Sequence, residues 1–204
     1  MSEYTDFNQS YFSILPADCS IPMQVFKITP HKSNNNHKII IVIQEIFGIN
    51  DSLKQTCFHY ANLGYTVLCP DLFHRLKAGV NLTDSNPDDL NQAFAYFNSF
   101  NVDTGISDIK ALINNARHTL NPTKIGAVGY CLGGLLAYLT ACHTDIDATV
   151  SYYGVNIHNT LDESETIQKP LMLHIAGNDE FVTHESQEKI IHHFTHVTKE
   201  DSVK

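Results

Sequence analysis

The chain has 204 residues, of which 43% are hydrophobic and 17% charged, and its formal net charge at pH 7 is −9. This length suits one domain with a substantial core, and the composition excludes an intrinsically disordered chain. The negative charge argues against nucleic acid or an anionic membrane surface as a partner.

The sequence also points to a compartment. Residues 1–6 lack the basic region and apolar stretch of a signal peptide, and no apolar run reaches the length needed to span a bilayer. The five cysteines are an odd number and form no C-x-x-C pair, which favours reduced thiols over a disulfide framework. We therefore expect a cytoplasmic protein with no membrane partner.

Apolar runs alternate with helical patterns along the chain, which is typical of a mostly parallel sheet with helices on both faces. An early, antiparallel strand is predicted over Ile21 to Ile28, and the polar stretch His31 to His37 is predicted to be a loop or hairpin. Buried strands are predicted at residues 39–43, 65–69, 125–129, 148–152 and 171–175.

Helices are predicted between these strands. The first covers residues 51–63, with Asp51 as N-cap and Gly64 after its end. The clearest period lies in residues 103–120, where one apolar stripe contains Ile106, Ile109, Ile113, Ala116 and Leu120. Further helices are expected near 88–99, after Gly133 and over 184–194. No repeat or linker divides the chain, so residues 1–204 are expected to form a single domain.

The sequence Gly129-Tyr130-Cys131-Leu132-Gly133-Gly134 follows a buried strand directly and precedes a helix. This order is typical of a nucleophile elbow, a strained turn that needs glycine on either side of its central residue. A helix N-terminus favours negative charge, so this position is expected to favour the reactive thiolate of Cys131. The alternative is an ordinary strand-to-helix turn with a buried cysteine.

Two carboxylates also follow predicted strands. Glu45 comes after residues 39–43 and Asp179 after residues 171–175. Sites in parallel sheets gather at the carboxyl ends of strands, so both acids are candidates for the surroundings of Cys131. The alternatives are a surface carboxylate capping the next helix for Glu45, and a loop aspartate that starts a helix for Asp179.

Five segments together resemble the dienelactone hydrolase family, a cysteine-dependent branch of the α/β-hydrolases. They run in the family's order from about residue 39 to residue 183. They are Gln44-Glu45-Ile46-Phe47-Gly48, Cys69-Pro70-Asp71-Leu72-Phe73, Gly129 to Gly134, Tyr152-Tyr153-Gly154-Val155 and Gly177-x-Asp179-x-Phe181-Val182.

The resemblance implies an α/β-hydrolase fold and a Cys-His-Asp triad assisted by a glutamate. Cys131 is then the nucleophile, and Asp179 orients the histidine. Glu45 partners the resting thiol and promotes its ionisation when substrate arrives. The backbone N–H groups of Leu132 and Ile46 are implied to form the oxyanion hole. No cofactor or metal is implied.

The chain departs from the family pattern at the histidine, which in the family lies beyond the acid after one more strand. The sequence ends at Lys204 before such a segment is recognisable. We therefore expect a domain incomplete at its C-terminus, without the final strand and helix and with the catalytic histidine beyond Lys204. His192 and His196 are four apart but lack a third ligand, so no metal site is predicted.

A second departure concerns the substrate. Leu90 stands where dienelactone hydrolases have a carboxylate-binding arginine, and Phe94 stands where a tyrosine is usual. Arg75 remains a candidate substrate contact, with an ordinary exposed arginine as the alternative. Tyr153 and Phe47, in the matched segments, are the other predicted substrate contacts.

These features predict a hydrolase that cleaves a lactone or carboxylic ester by a cysteine nucleophile through a thioester intermediate. The expected partner is a small ester or lactone, and the protein is expected to be a monomer or homodimer. Two alternatives stay open: a catalytically impaired binding protein on the same fold, and a glutaminase-type cysteine enzyme.

Overall fold

Seven strands form one sheet within residues 7–31 and 35–196, the part of the chain that the computed structural model describes. The strands are β1 Asn8–Ile14, β2 Met23–Thr29, β3 Lys38–Ile43, β4 Thr66–Pro70, β5 Lys124–Tyr130, β6 Ala148–Tyr152 and β7 Leu171–His174. Their spatial order is β1-β2-β4-β3-β5-β6-β7. β2 is antiparallel to both of its neighbours. The other five strands, β4, β3, β5, β6 and β7 in spatial order, are parallel to one another. The predicted mostly parallel sheet with an early antiparallel strand is confirmed.

The sequence does not predict β1, which pairs with β2 along its whole length. Most of its side chains are exposed, and only Ile14 is buried. An edge strand of this kind lacks the apolar alternation by which a strand is recognised, because backbone pairing rather than side-chain burial holds it in place.

Helices connect the parallel strands. The described residues contain α1 Asp51–Asn62, α2 Pro87–Ser99, α3 Val102–Leu120, α4 Leu132–His143 and α5 His184–His196. Two short 3-10 segments that the sequence does not predict, Ile157–Asn159 and Leu161–Thr166, follow β6.

The start of α1 corrects one sequence prediction. The N-cap is Asn50 rather than Asp51, because the Asn50 side-chain oxygen accepts a hydrogen bond from the Leu53 N–H at 2.9 Å. Asp51 is the first helical residue, where its negative charge interacts favourably with the helix dipole. The Asn50 amide also donates to the Leu82 carbonyl at 3.1 Å, which ties the helix start to a later loop.

The apolar stripe of α3 is confirmed over most of its length. Ile106, Ile109, Ile113 and Ala116 are buried, whereas Leu120 is 37% exposed. Leu120 is the last residue of the helix, so the buried stripe ends one turn earlier than predicted.

Consecutive residues of β3 show that helices cover both faces of the sheet. Ile41 and Ile43 belong to the buried cluster that contains α3 and α4, whereas Val42 belongs to the cluster that contains α1. Strand side chains alternate between faces, so this division confirms the predicted three-layer arrangement. Among the helices of the described residues, none has both the length and the apolarity required to cross a membrane.

Candidate active site

Cys131 lies between the end of β5 and the start of α4, with backbone angles of φ 54° and ψ −114°. A positive φ is strained for a residue other than glycine and is typical of functional turns. The Cys131 N–H donates to the Tyr152 carbonyl at 3.1 Å, and the Cys131 carbonyl accepts from Gly134 at 3.0 Å. These bonds hold the strained turn between β6 and the first turn of α4.

The two glycines that flank the turn are required by close backbone contacts. A Cβ atom on Gly129 would lie 1.8 Å from the Gly133 carbonyl oxygen. A Cβ atom on Gly133 would lie 2.5 Å from the carbonyl oxygens of both Ile43 and Gln44. The start of α4 therefore rests directly on the end of β3, which places Cys131 beside the segment that begins at Gln44.

The thiol of Cys131 is half-buried rather than sealed in the core, unlike Cys57, Cys69 and Cys142. Burial, and then the charge of Glu45, raise its pKa to about 11, and Asp179 contributes in the same direction. The Leu132 N–H at the helix start lowers the pKa of the Cys131 thiol, in the direction expected from the sequence, but burial and two carboxylates outweigh this effect. The resting group is a neutral thiol.

Glu45 follows β3 and faces the same space as Cys131. The Tyr153 hydroxyl donates to Glu45 Oε1 at 3.5 Å. Burial raises the pKa of the Glu45 carboxyl, opposed by the bond from Tyr153, and the charge of Asp84 raises it further. A carboxyl of raised pKa beside a thiol is a suitable proton acceptor for it.

Two backbone N–H groups beside Cys131 are candidates for an oxyanion hole. The Leu132 N–H hydrogen-bonds to the Cys131 thiol, since its interaction lowers the pKa of that group. The hydrogen bonds of the described residues leave the Ile46 N–H without a protein partner. Unpaired amides at a helix start and a strand end are the groups that stabilise an oxyanion.

Asp179 lies in the loop after β7. Its Oδ1 atom accepts hydrogen bonds from the backbone N–H groups of Phe181 at 2.8 Å and Val182 at 3.1 Å. These bonds fix the loop, and the Asp179 charge still contributes to the pKa of Cys131. Both predicted acids therefore lie within electrostatic reach of the thiol.

Cys131 opens into a cavity of about 360 Å³. Most of its wall is apolar. The lining residues are Glu45, Ile46, Phe47, Asp84, Leu90, Phe94, Phe97, Cys131, Tyr153 and Phe181. The predicted substrate contacts Tyr153 and Phe47 are among them. Phe94 from α2 and Phe181 from the Asp179 loop approach each other across it, with ring centroids 6.1 Å apart.

Arg75 lies elsewhere, which corrects its assignment as a substrate contact. Its guanidinium donates to Asp108 Oδ1 at 2.7 Å and to Asp18 Oδ1 at 2.7 Å. These ion pairs engage the side chain, and Arg75 is not among the residues that line the cavity. Neither the substrate role nor the alternative of an ordinary exposed arginine describes it, because its side chain is only 19% exposed.

Of the histidines in residues 7–31 and 35–191, none hydrogen-bonds through its side chain to Cys131 or Asp179. Several histidines have other partners: His74 pairs with Asp108, His143 with Glu163, and His193 with Ser164. The His174 ring stacks on Tyr152 with centroids 4.2 Å apart. The prediction of a histidine beyond Lys204 stays a prediction.

Sequence reasoning missed Asp84 and Phe97 as cavity residues. Phe97 has a signal, because Leu90, Phe94 and Phe97 recur at helical spacing on one side of α2. Asp84 has none, since it lies in a loop whose position depends on tertiary contacts.

A model of the dienelactone hydrolase family matches residues 23–204. The chain belongs to the dienelactone hydrolase family. It is 36% identical over 157 residues to a carboxymethylenebutenolidase of Pseudomonas putida, covering 76% of this chain and 66% of that protein. It is 39% identical over 154 residues to a putative carboxymethylenebutenolidase of Azospirillum brasilense, covering 74% and 66%. The chain thus spans 66% of the length of these curated relatives.

The fold agrees with solved structures of the dienelactone hydrolase family. A putative dienelactone hydrolase from Klebsiella pneumoniae superimposes with a TM-score of 0.74 at 18% identity, covering 92% of this chain and 81% of that one. A dienelactone hydrolase from Anabaena variabilis superimposes with a TM-score of 0.68 at 13% identity, covering 93% and 81%. The fold is therefore the α/β-hydrolase fold, as predicted.

Proposed function

We propose that this protein hydrolyses a lactone or carboxylic ester with Cys131 as nucleophile. The observation that carries the proposal is a half-buried thiol on a strained turn, open to an apolar cavity and next to Glu45. Family membership supports ester or lactone chemistry over the glutaminase-type alternative.

The reaction begins from the neutral thiol. A substrate that fills the cavity displaces water from Glu45, which raises the pKa of that carboxyl further and makes it a better proton acceptor. The thiol proton then passes to Glu45 while the sulfur forms a bond to the carbonyl carbon. The developing oxyanion accepts hydrogen bonds from the N–H groups of Leu132 and Ile46.

Collapse of this intermediate breaks the carbon–oxygen bond of the ester or lactone. The departing oxygen takes the proton from Glu45, and the acyl group stays on Cys131 as a thioester. Water then hydrolyses the thioester and restores the thiol. A histidine, predicted beyond Lys204, is proposed to activate this water, and Asp179 is proposed to orient that histidine.

The remaining proposals concern partners. Phe47 and Tyr153 contact the substrate, since both line the cavity. No cofactor, metal, nucleic acid or membrane takes part, and the protein works in the cytoplasm as a monomer or homodimer with its five cysteines unpaired. All of these cysteines lie in the described part of the chain.

Acylation of Cys131 tests the proposal independently of the histidine. We expect 4-nitrophenyl acetate to release nitrophenolate in a burst and to add one acetyl group to the peptide that contains Cys131, as seen by mass spectrometry. Cys131→Ala should abolish both signals, with Cys19→Ala as the matched control because Cys19 is the other cysteine that is not fully buried. Equal nitrophenolate release by wild type and Cys131→Ala contradicts the proposal and leaves the binding-protein alternative.

A further inference from the structure

The charged groups in the wall of the cavity have one sign. Glu45 and Asp84 are its ionisable carboxyls, and the described residues that line it include no lysine, arginine or histidine. Asp179 adds a third carboxylate close enough to act on Cys131. A negatively charged substituent entering the cavity therefore meets repulsion, and the described residues of the wall offer it no cationic side chain.

The ion pairs formed within the described part of the chain do not include Asp84. Its Oδ1 atom accepts hydrogen bonds from the hydroxyls of Thr83 at 3.5 Å and Ser85 at 3.3 Å, both of which are uncharged. The charge reaches into the cavity, because it is one of the influences on Glu45.

The rest of the wall suits an apolar or cationic group. Five aromatic rings line the cavity, from Phe47, Phe94, Phe97, Tyr153 and Phe181. Aromatic faces are negative, so they attract cations as well as apolar groups and do not attract carboxylates.

We propose that Asp84 is a specificity-determining residue which, together with Glu45, makes the Cys131 site select apolar esters or lactones that carry a neutral or cationic substituent and reject those that carry a carboxylate. This inference rests on the proposed function of Cys131. The inference separates this protein from a hydrolase of carboxymethylene-substituted butenolides, the substrate type that the names of its relatives describe.

Three methanethiosulfonate reagents of different charge test the inference without requiring turnover. The reagents are methyl (neutral), sulfonatoethyl (anionic) and trimethylammonioethyl (cationic) methanethiosulfonate. Each transfers its alkylthio group to the thiolate, which forms a mixed disulfide and releases methanesulfinate, so each reports access of one charge type to Cys131. Labelling rates are measured in a Cys19→Ser background. For each variant, the rate with the cationic reagent is divided by the rate with the anionic reagent. This cation-to-anion ratio is then divided by the same ratio for 2-mercaptoethanol, which corrects for the intrinsic reactivity of the two reagents. The ratio cancels any change in the thiolate fraction between variants.

We expect a normalised cation-to-anion ratio of about five or more for Cys131. Salt screens the negative charges of the nearby carboxylates, but those within one Debye length still attract the cationic reagent and repel the anionic one. Asp84→Asn should lower the ratio about threefold, and Asp84→Lys should lower it about tenfold. The matched control is Asp162→Asn, an exposed carboxylate in the Leu161–Thr166 segment that does not line the cavity, and it should leave the ratio unchanged.

A wild-type ratio of one or less overturns the inference, and so does an Asp84→Asn ratio equal to that of Asp162→Asn. If the neutral reagent fails to label Cys131, the cavity is not open to reagents, and the inference is overturned because it requires access to Cys131. Because labelling does not depend on ester cleavage, a charge ratio that behaves as expected alongside absent acylation separates failure of the proposed function from failure of this inference.

Discussion

The thiol of Cys131 is subject to opposing influences at the scale of a single residue. The Leu132 N–H lowers its pKa, while burial and the charges of Glu45 and Asp179 raise it to about 11. The net effect keeps the nucleophile protonated at neutral pH until a substrate changes the balance. A resting thiol of this kind resists oxidation and alkylation, since the thiolate is the reactive form.

The alkylation rate of Cys131 by iodoacetamide should therefore rise about tenfold per pH unit between pH 7 and pH 10, because each unit raises the thiolate fraction tenfold below a pKa of about 11. Glu45→Gln removes a negative charge, which stabilises the thiolate, lowers the pKa of Cys131 and speeds alkylation at pH 8. The measurement is peptide-resolved labelling over this pH range, with Cys131→Ala to identify the signal. A slower or unchanged rate in Glu45→Gln contradicts the assigned influence of Glu45.

At the scale of elements, the join between β5 and α4 depends on how closely α4 approaches β3. Gly133 makes this approach possible, because a side chain there meets two carbonyl oxygens of the Ile43–Gln44 segment. Main-chain atoms cannot move aside as a flexible side chain can. The same contact holds Cys131 beside Glu45, so the stability of the fold and the geometry of the site depend on one packing interaction.

Gly133→Ala should lower the free energy of unfolding by about 3 kcal/mol and reduce acylation of Cys131 by 4-nitrophenyl acetate, because α4 must move away from β3. The matched control is Gly177→Ala, where a Cβ atom meets nothing within 4 Å. Urea unfolding measures the first effect and burst amplitude the second. Equal stabilities for the two variants contradict the packing argument.

At the scale of the whole molecule, the loop after β4 connects α3 to the active-site segment. His74 and Arg75 of this loop bind Asp108 of α3, which is buried. Further along the loop, Leu82 donates to the Phe47 carbonyl at 3.0 Å. Asp108 therefore supports the position of Asp84 and of the Glu45–Phe47 segment although it does not line the cavity.

Asp108→Asn should lower the free energy of unfolding by about 3 kcal/mol, because it removes the charge partner of Arg75 in a buried network. Asp18→Asn is the matched control: it removes the more exposed partner of the same guanidinium and should have a much smaller effect. Urea denaturation compares the two variants. If Asp18→Asn lowers the free energy of unfolding as much as Asp108→Asn, the buried ion pair contributes no more to stability than the exposed one, and the prediction is contradicted.

The sequence by itself determined the alternation of strands and helices, the elbow around Cys131 and its two acidic neighbours. Apolar periodicity and glycine spacing are local properties, and the carboxyl ends of parallel strands meet at one edge of a sheet. It did not determine β1, which is held by backbone pairing with β2, or the exposure of Leu120, which depends on what other elements cover. Asn50 and Asp51 are adjacent residues that both suit an N-cap, so the sequence did not decide between them.

Only the tertiary structure decided the role of Arg75, the raised pKa of the Cys131 thiol and the place of Asp84 in the cavity wall. Each depends on the distance between groups far apart in the chain: Arg75 from Asp108, Cys131 from Glu45 and Asp84 from Glu45. Charge interactions and burial vary steeply with such distances, whereas the order of residues along the chain records only which groups are present.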